Sequence, residues 1–217
     1  MNSAVLYDYW RSSAAYRLRI ALNHLGLEHD AVPVDLLKGE QRGAENLARN
    51  PQGLVPTLEI DSHTLSQSLA IIEYLDETRN GGLMPGDALG RARVRRISHA
   101  IAMEIHPVCN LSVARFASEN SGGAITMRDW MHAFIPRGLS AVETMLGEAE
   151  TGRFCHGDRL SMADICLVPQ IYNARRWEVA LEGMPHIMRI MEHLDPLPAV
   201  AAAHPDRHAP DRNARQG

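Results

Sequence analysis

The chain has 217 residues, of which 45% are hydrophobic and 22% charged, the balance of a globular protein long enough to bury a core without disulfides or metals. A formal charge of -4 at pH 7 excludes the basic footprint of a nucleic-acid binder, and no apolar run approaches the ~20 residues of a membrane span. Three cysteines without paired spacing and scattered histidines exclude a disulfide framework and a zinc pattern and fit a reducing compartment; with no signal-peptide pattern at the start, a cytoplasmic protein is expected.

Along the chain, "AVLYDY" (Ala4 to Tyr9) is a short β-prone run. From Ser13 to Leu25, the positions Leu18, Ala21, Leu22 and Leu25 recur at helical spacing, and Gly26 stands where a helix would stop. "HDAVPVDL" predicts a second strand, which Pro33 assigns to a sheet edge or an irregularity. An irregular stretch with room for a short helix follows. "LVPTLEI", the turn Asp61-Ser62 and "HTLS" predict an antiparallel hairpin. "SLAIIEYLDE" then sets Leu69, Ile72 and Leu75 on one helical stripe. This βαβ-ββα order predicts a small α/β sheet covered by helices, over residues 1–80.

"RNGGLMPGDALG" (Arg79 to Gly90) is rich in glycine and carries a proline, so residues 81–90 read as a linker. Strand signals then vanish. Helical patterns run over Gly90 to Ser118, Ile125 to Glu148, Ser161 to Val179 and Pro185 to Leu194, predicting an all-helical domain over 91–200. Pro136 and Pro169 are expected to kink or interrupt their helices. In "SMAD", Ser161 can accept from an amide of the first turn while Asp164 reaches back to the cap. The end mixes proline with both charge signs and lacks periodicity, so 201–217 is expected to be a flexible tail.

The first helix starts near Ser12 and Ser13, and points unpaired amides and its positive dipole end at the turn before it. A thioredoxin-like chain would carry reactive cysteines there, whereas the first cysteine here is Cys109. A serine hydroxyl at that turn can donate to an anion such as a thiolate; the plainer reading is an N-cap. At Val55-Pro56, a cis peptide would turn the preceding backbone outward and offer the N–H and C=O of Val55 to an extended peptide; a trans proline would end a loop. Gln67 and Ser68 open the next helix, whose amides suit a carboxylate; alternatively Ser66 or Ser68 is its cap.

An anion-binding serine, a strand-like proline turn and a carboxylate-binding helix start, followed by a helical half, resemble the glutathione S-transferase fold. More narrowly, "RSSAAYRLRIAL", "NPQGLVPTLEIDSHTLSQSLAIIEYLDE" and "GDRLSMADICLVPQIYNARRWEV" are similar to the zeta class, which comprises maleylacetoacetate and maleylpyruvate isomerases. The resemblance covers the chain from about Leu6 to Leu194. It implies an α/β thioredoxin-like N-terminal domain, an all-α C-terminal domain, glutathione as cofactor and a homodimer.

By that resemblance, Ser12 faces the glutathione sulfur with Ser13 alongside. Val55, before Pro56, pairs with the cysteinyl backbone. Gln67 and Ser68 hold the γ-glutamyl end, and Gln41 the glycine end. Arg17 and Arg19 lie on the first helix; the resemblance places Arg17 near the glutathione site, and a structural ion pair with an acidic residue is the alternative. "EIHPVCNLSV" brings His106 and Asn110 to the cleft, and in "NARRWEV" Arg176 matches an arginine assigned to the substrate site. An arginine fork suits the carboxylates of a maleyl dicarboxylate, and Arg11 is a further anchor. The class usually reads Ser-Ser-Cys at the turn. Here the third residue is Ala14, so chemistry by a protein thiol is not expected.

The implied reaction is reversible addition of glutathione thiolate to a cis double bond, rotation and elimination, with Ser12, Ser13 and Arg176 as its catalytic residues. Maleylacetoacetate is the expected substrate. Maleylpyruvate-directed relatives tend to carry an arginine pair after the cleft asparagine, where this chain has Leu111 and Ser112. Conjugation or dehalogenation of small α-halo acids would use the same thiolate, and a non-catalytic binding protein is the reading from another class.

Overall fold

The computed structural model describes residues 4–210. The chain divides into two compact units: one takes the described residues up to Gly81 and from Leu197 onward, the other is Gly82–Pro196.

In the first unit, β1 (Ala4–Asp8) leads through α1 (Ser13–His24) to β2 (His29–Pro33). A 3-10 turn (Glu40–Arg42) and α2 (Ala44–Arg49) precede the hairpin β3 (Thr57–Ile60) and β4 (His63–Ser66), and α3 (Ser68–Arg79) follows. The strands order as β2-β1-β3-β4, with β1 parallel to β2 and antiparallel to β3. Leu6 stands opposite both Ala31 and Leu58, and burial alternates along β1 with Ala4, Leu6 and Asp8 inside, as the two-residue period of a strand requires. Pro33 ends an edge strand, where its missing N–H costs no ladder bond. Asp61 and Ser62 both hold left-handed backbone, φ 52° and 64°, the geometry that lets a tight turn match the twist of a hairpin. Tyr74 and Arg79 of α3 fix that turn through the Asp61 carboxylate, each at 2.7 Å.

α1 is buried without a break from Ala15 to Leu22. It closes on Gly26 at φ 63°; the Gly26 amide donates to Asn23 at 3.2 Å and the Leu27 amide to Leu22 at 2.9 Å, the paired bonds that satisfy a helix end. The Val55–Pro56 peptide is cis.

The second unit contains α4 (Ala88–His99), a π-helical segment (Ala100–Ile105), α5 (His106–Val108), α6 (Leu111–Asn120), α7 (Met127–Leu146), α8 (Met162–Arg176) and α9 (Pro185–Leu194). The helical pattern expected from Gly90 to Ser118 is broken at Cys109–Asn110. Asn110 turns to extended backbone, and its side chain caps α6 by accepting from the Ser112 amide at 3.0 Å. An asparagine that bonds its own downstream backbone competes with the helix it would otherwise continue. α7 packs on the π segment at Gly138, where a Cβ would come 2.3 Å from Ile105 Cγ1; only glycine permits that approach.

Pro136 and Pro169 do not interrupt α7 and α8. Each removes one helical hydrogen bond, yet the apolar residues beside them, Ile135 and Leu139 in α7 and Val168 and Ile171 in α8, stay buried, so packing carries the helix across. α8 starts with the expected capping box. Asp164, fully buried, accepts from the Ser161 amide and hydroxyl at 2.8 and 2.7 Å and from the Cys155 amide at 2.8 Å. Burial pushes its carboxyl pKa up, against the pull of those bonds.

Two boundaries differ from expectation. The stretch expected as a linker over 81–90 is largely fixed in the helical unit: Leu83 is fully buried and its carbonyl accepts from the Met162 amide at 3.0 Å, while Asp87 caps α4 through the Gly90 amide. Residues 201–210, expected as flexible tail, are ordered. α10 (Pro198–Ala203) returns to the first unit and packs on α1, and a 3-10 turn (Pro205–Arg207) follows; the remainder of the expected tail, 211–217, lies outside the described residues. The cause is Arg19 on α1, 1% exposed. Its guanidinium bonds Asp8 of β1 at 2.5 Å, the Trp10 carbonyl at 2.9 Å and the Ala203 carbonyl at 3.1 Å. Asn23 adds a bond to the Ala199 carbonyl at 3.2 Å.

Removing one member of a buried ion pair strands the other charge, at a cost of about 3–5 kcal/mol. Arg19→Met should therefore lower the unfolding free energy by that order, read as a lower urea midpoint at unchanged slope, while Arg19→Met combined with Asp8→Leu should lose less than the single change. A midpoint for Arg19→Met within error of the parent would show that the pair does not carry this load.

Candidate active site

The turn before α1 is built from Tyr9 to Ser13. The Ser12 amide donates to the Tyr9 carbonyl at 2.8 Å, and Ser12 takes the extended backbone of an N-cap. Its Oγ accepts from the Ala15 amide at 3.2 Å, and its carbonyl accepts from the Tyr16 amide at 2.9 Å. Ser12, Ser13 and Ala14 are half-buried. Because Ser12 Oγ serves the helix as an acceptor, its proton remains available to an acceptor outside the helix. No acidic residue occupies the first turn of α1, so the positive helix end is not offset by a carboxylate of its own turn. Beside this turn, the Arg11 guanidinium lies 4.7 Å from the Trp10 ring centroid and Nη2 donates to Tyr9 Oη at 3.4 Å.

The approach to Pro56 is shaped by Asn50, 2% exposed. Its Oδ1 accepts from the Gln52 amide at 3.1 Å and its Nδ2 donates to the Leu54 carbonyl at 3.0 Å. Asn46, also buried, donates to the Gln41 carbonyl at 2.9 Å. These two asparagines hold the loops that carry Gln41 and Val55, and the sequence reading did not single them out. "NPQG" is a turn signature, but nothing in it tells which carbonyl the asparagine will bind. Val55 itself lies outside the ladder, whose paired residues on β3 run from Thr57. Gln41 Oε1 is buried without a partner among the described residues.

α3 opens differently from either cap considered. Its N-cap is Gln67, with φ 69° and no side-chain cap bond, and Ser68 is the first helical residue. Neither Ser66 nor Ser68 caps the helix: Ser68 Oγ, 3.2 Å away, instead accepts from Arg17 Nη1. Left-handed backbone at a non-glycine residue costs of order 1 kcal/mol and clusters at functional sites. The Gln67 side chain donates to Gln52 Oε1 at 2.7 Å, so the amide side chain braces the loop before Pro56, and the first turn of α3 carries no acidic residue.

In the helical unit, His106 opens α5 and is half-buried. The Oδ1 of Asn110 is engaged by both the amide and the hydroxyl of Ser112, leaving its Nδ2 as the group suited to a ligand. Arg175 pairs with Asp195 at 3.3 Å. Arg176, exposed at the end of α8, has its guanidinium 5.2 Å from the Trp177 ring centroid.

All three cysteines, Cys109, Cys155 and Cys166, are buried and free. Burial raises the Cys109 pKa to about 11 and that of Cys155 well above the ordinary thiol value. The first unit thus presents helix ends and hydroxyls suited to an anion, with no cysteine among its described residues. Among the described residues, no group of His, Cys, Asp and Glu is arranged to hold a metal, and no helix is long and apolar enough to cross a membrane.

A two-helix-end site on a mixed four-stranded sheet, followed by a helical unit, defines a glutathione S-transferase-like protein, and the comparisons agree. The model of the glutathione S-transferase N-terminal domain matches residues 11–78, and that of the C-terminal domain residues 109–203. Maleylacetoacetate isomerase of Rhizobium meliloti is 57% identical over 96% of this chain and 99% of its own length. The crystal structure of maleylacetoacetate isomerase from Methylobacterium extorquens AM1 with bound malonate and GSH superposes with a TM-score of 0.90 at 41% identity, covering 95% of this chain and 100% of that one. A bacterial maleyl pyruvate isomerase of the zeta class gives 0.89 at 37% identity, over 95% and 99% of the two chains. The chain belongs to the glutathione S-transferase family, in its zeta class.

With every cysteine buried, a thiol reagent at pH 7 should modify the native protein far more slowly than the urea-unfolded chain, which should yield three equivalents. One thiol reacting at the unfolded rate in the native protein would contradict this placement.

Proposed function

We propose that the chain is a glutathione-dependent isomerase that converts maleylacetoacetate to fumarylacetoacetate. The observation that carries the reading is 57% identity to a maleylacetoacetate isomerase over nearly the whole of both chains. The site geometry fits the cofactor. Ser12 offers a hydroxyl proton at a dipole-positive helix end, Val55 offers main chain outside the ladder, and the start of α3 has no carboxylate of its own.

Glutathione, when bound, would supply a thiolate nucleophile for reversible addition to the activated cis double bond. The work of the chain is to hold and charge the participants. Ser12 and the α1 terminus favour the thiolate over the thiol, and Ser13 extends that polar surface. Gln41, Val55, Gln67 and Ser68, with His106 and Asn110, hold the tripeptide. Arg176 and Arg11 take the substrate carboxylates. Ser12 supports this as a donor rather than a nucleophile, since its Oγ is already engaged by the Ala15 amide. The same reading makes the protein a homodimer, as its class is, and the unpaired cysteines are in keeping with a cytoplasmic location.

Maleylpyruvate is the second reading, favoured by the 0.89 TM-score of an isomerase named for that substrate. It shares the maleyl dicarboxylate. Leu111 and Ser112 after Asn110 weigh toward maleylacetoacetate.

Turnover of both substrates should require glutathione and leave total free thiol constant; consumption of thiol, or turnover of only α-halo acids, would replace the isomerase by a transferase or dehalogenase. In the active protein, Ser12→Ala should raise the pKa of bound glutathione and cut kcat by about 10- to 100-fold, as loss of a charge-assisted donor does, and Ser13→Ala should do less. Thiolate absorbance against pH reads this directly, and an unshifted titration would remove Ser12 from the role. Arg176→Ala should raise the KM of the dicarboxylate about 10-fold; an unchanged KM would transfer the role to Arg11.

A further inference from the structure

Arg17 lies on α1 with its side chain 2% exposed, and its Nη1 reaches Ser68 Oγ on α3 at 3.2 Å. A guanidinium only donates and does not lose its proton. Ser68 Oγ is therefore an acceptor toward Arg17, and the single proton of the hydroxyl must point elsewhere. A serine at a helix start ordinarily spends its oxygen on a backbone amide of the first turn. Ser68 does not: it sits one residue inside the helix, behind a cap residue that makes no side-chain bond. The hydroxyl is thus free of the helix and oriented by Arg17.

We propose that Arg17 is a positioning residue for glutathione: by holding Ser68 Oγ as an acceptor, it directs the serine proton to the α-carboxylate of the γ-glutamyl residue at the α3 terminus. The inference rests on the reading that glutathione binds with that end at α3. Arg17 need not touch the ligand. Without it, the hydroxyl spreads over its staggered rotamers, and the donor is present but unaimed. Its fixed charge, buried against the same hydroxyl, also strengthens that donor, because hydrogen bonds polarise one another along a chain.

The test is titration calorimetry with two ligands, reduced glutathione and glutathione lacking the α-carboxylate of its γ-glutamyl residue. Arg17→Met should weaken glutathione about 10-fold, the order expected for a bond to a charged group, while leaving the truncated ligand bound as by the parent. Ser68→Ala should behave alike, and the double variant should be no weaker than either single one. Arg17→Lys, which keeps a charged donor, should restore most of the affinity. In turnover, the KM for glutathione should rise while kcat at saturating glutathione holds.

Equal loss for both ligands would make Arg17 a structural residue and overturn the proposal, as would no loss for either. Should Arg17→Met fail to fold, Ser68→Ala decides by the same comparison between ligands, since discrimination between them is what the aimed proton predicts. A parent protein that binds neither ligand would instead overturn the glutathione reading, and this inference with it.

Discussion

The ion pair of Arg19 and Asp8 is the constraint on which the first unit depends. Both charges are buried, so each must be fully engaged or the fold loses several kcal/mol. The geometry meets that demand with one guanidinium. It ends β1 at Asp8, fixes the carbonyl of Trp10 in the turn that leads to Ser12, and receives the Ala203 carbonyl at the end of α10. A strand end, the turn before α1 and a segment remote in sequence are thereby set by the same side chain. The face of Tyr16 beside it, with the Arg19 guanidinium 5.5 Å from the ring centroid, covers the charge with a surface that attracts cations.

That anchoring bears directly on the proposed site, which has few charged groups of its own. Helix termini are strong anion sites only while their amides keep a fixed direction, because the attraction falls off within the first turn. α1 is held at both ends, by the Ser12 cap and by the bonds around Gly26, and along its length by burial. α3 is held at its start by Gln67 and at its end by the Asp61 contacts of Tyr74 and Arg79. Between them, Arg17 and Ser68 join the two helices directly. These polar ties keep the starts of both helices fixed in direction.

The difference between what was legible and what was not follows the reach of each interaction. Gly26, the Asp61-Ser62 turn and the Asp164 capping box are all local, and each was readable because its partner lies within a few residues. The serine turn, the cis Val55-Pro56 peptide and the Gln67-Ser68 helix start were readable as places. Their wiring was not. Nothing in "SQSLAII" says that Ser68 will answer Arg17 on another helix, and nothing in "NPQG" says that Asn50 will bind the Leu54 carbonyl. Charged and proline-rich composition pointed to a loose C-terminal end, but composition cannot register that the Ala203 carbonyl there accepts from Arg19, or that the Ala199 carbonyl just before it accepts from Asn23.

The same reasoning accounts for the prolines. A proline in a helix costs a hydrogen bond, and an isolated helix would break there. In α7 and α8 the helix is not isolated: the apolar residues around Pro136 and Pro169 are buried at full depth, each contributing about 1.5–3 kcal/mol by leaving water. A few such side chains outweigh one lost bond of about 1 kcal/mol net. Breaks appear instead where a polar side chain offers the backbone a better partner, as Asn110 does for Ser112. In this chain the decisive choices are made by where polar groups find partners, and burial then extends the helices through whatever those partners leave open.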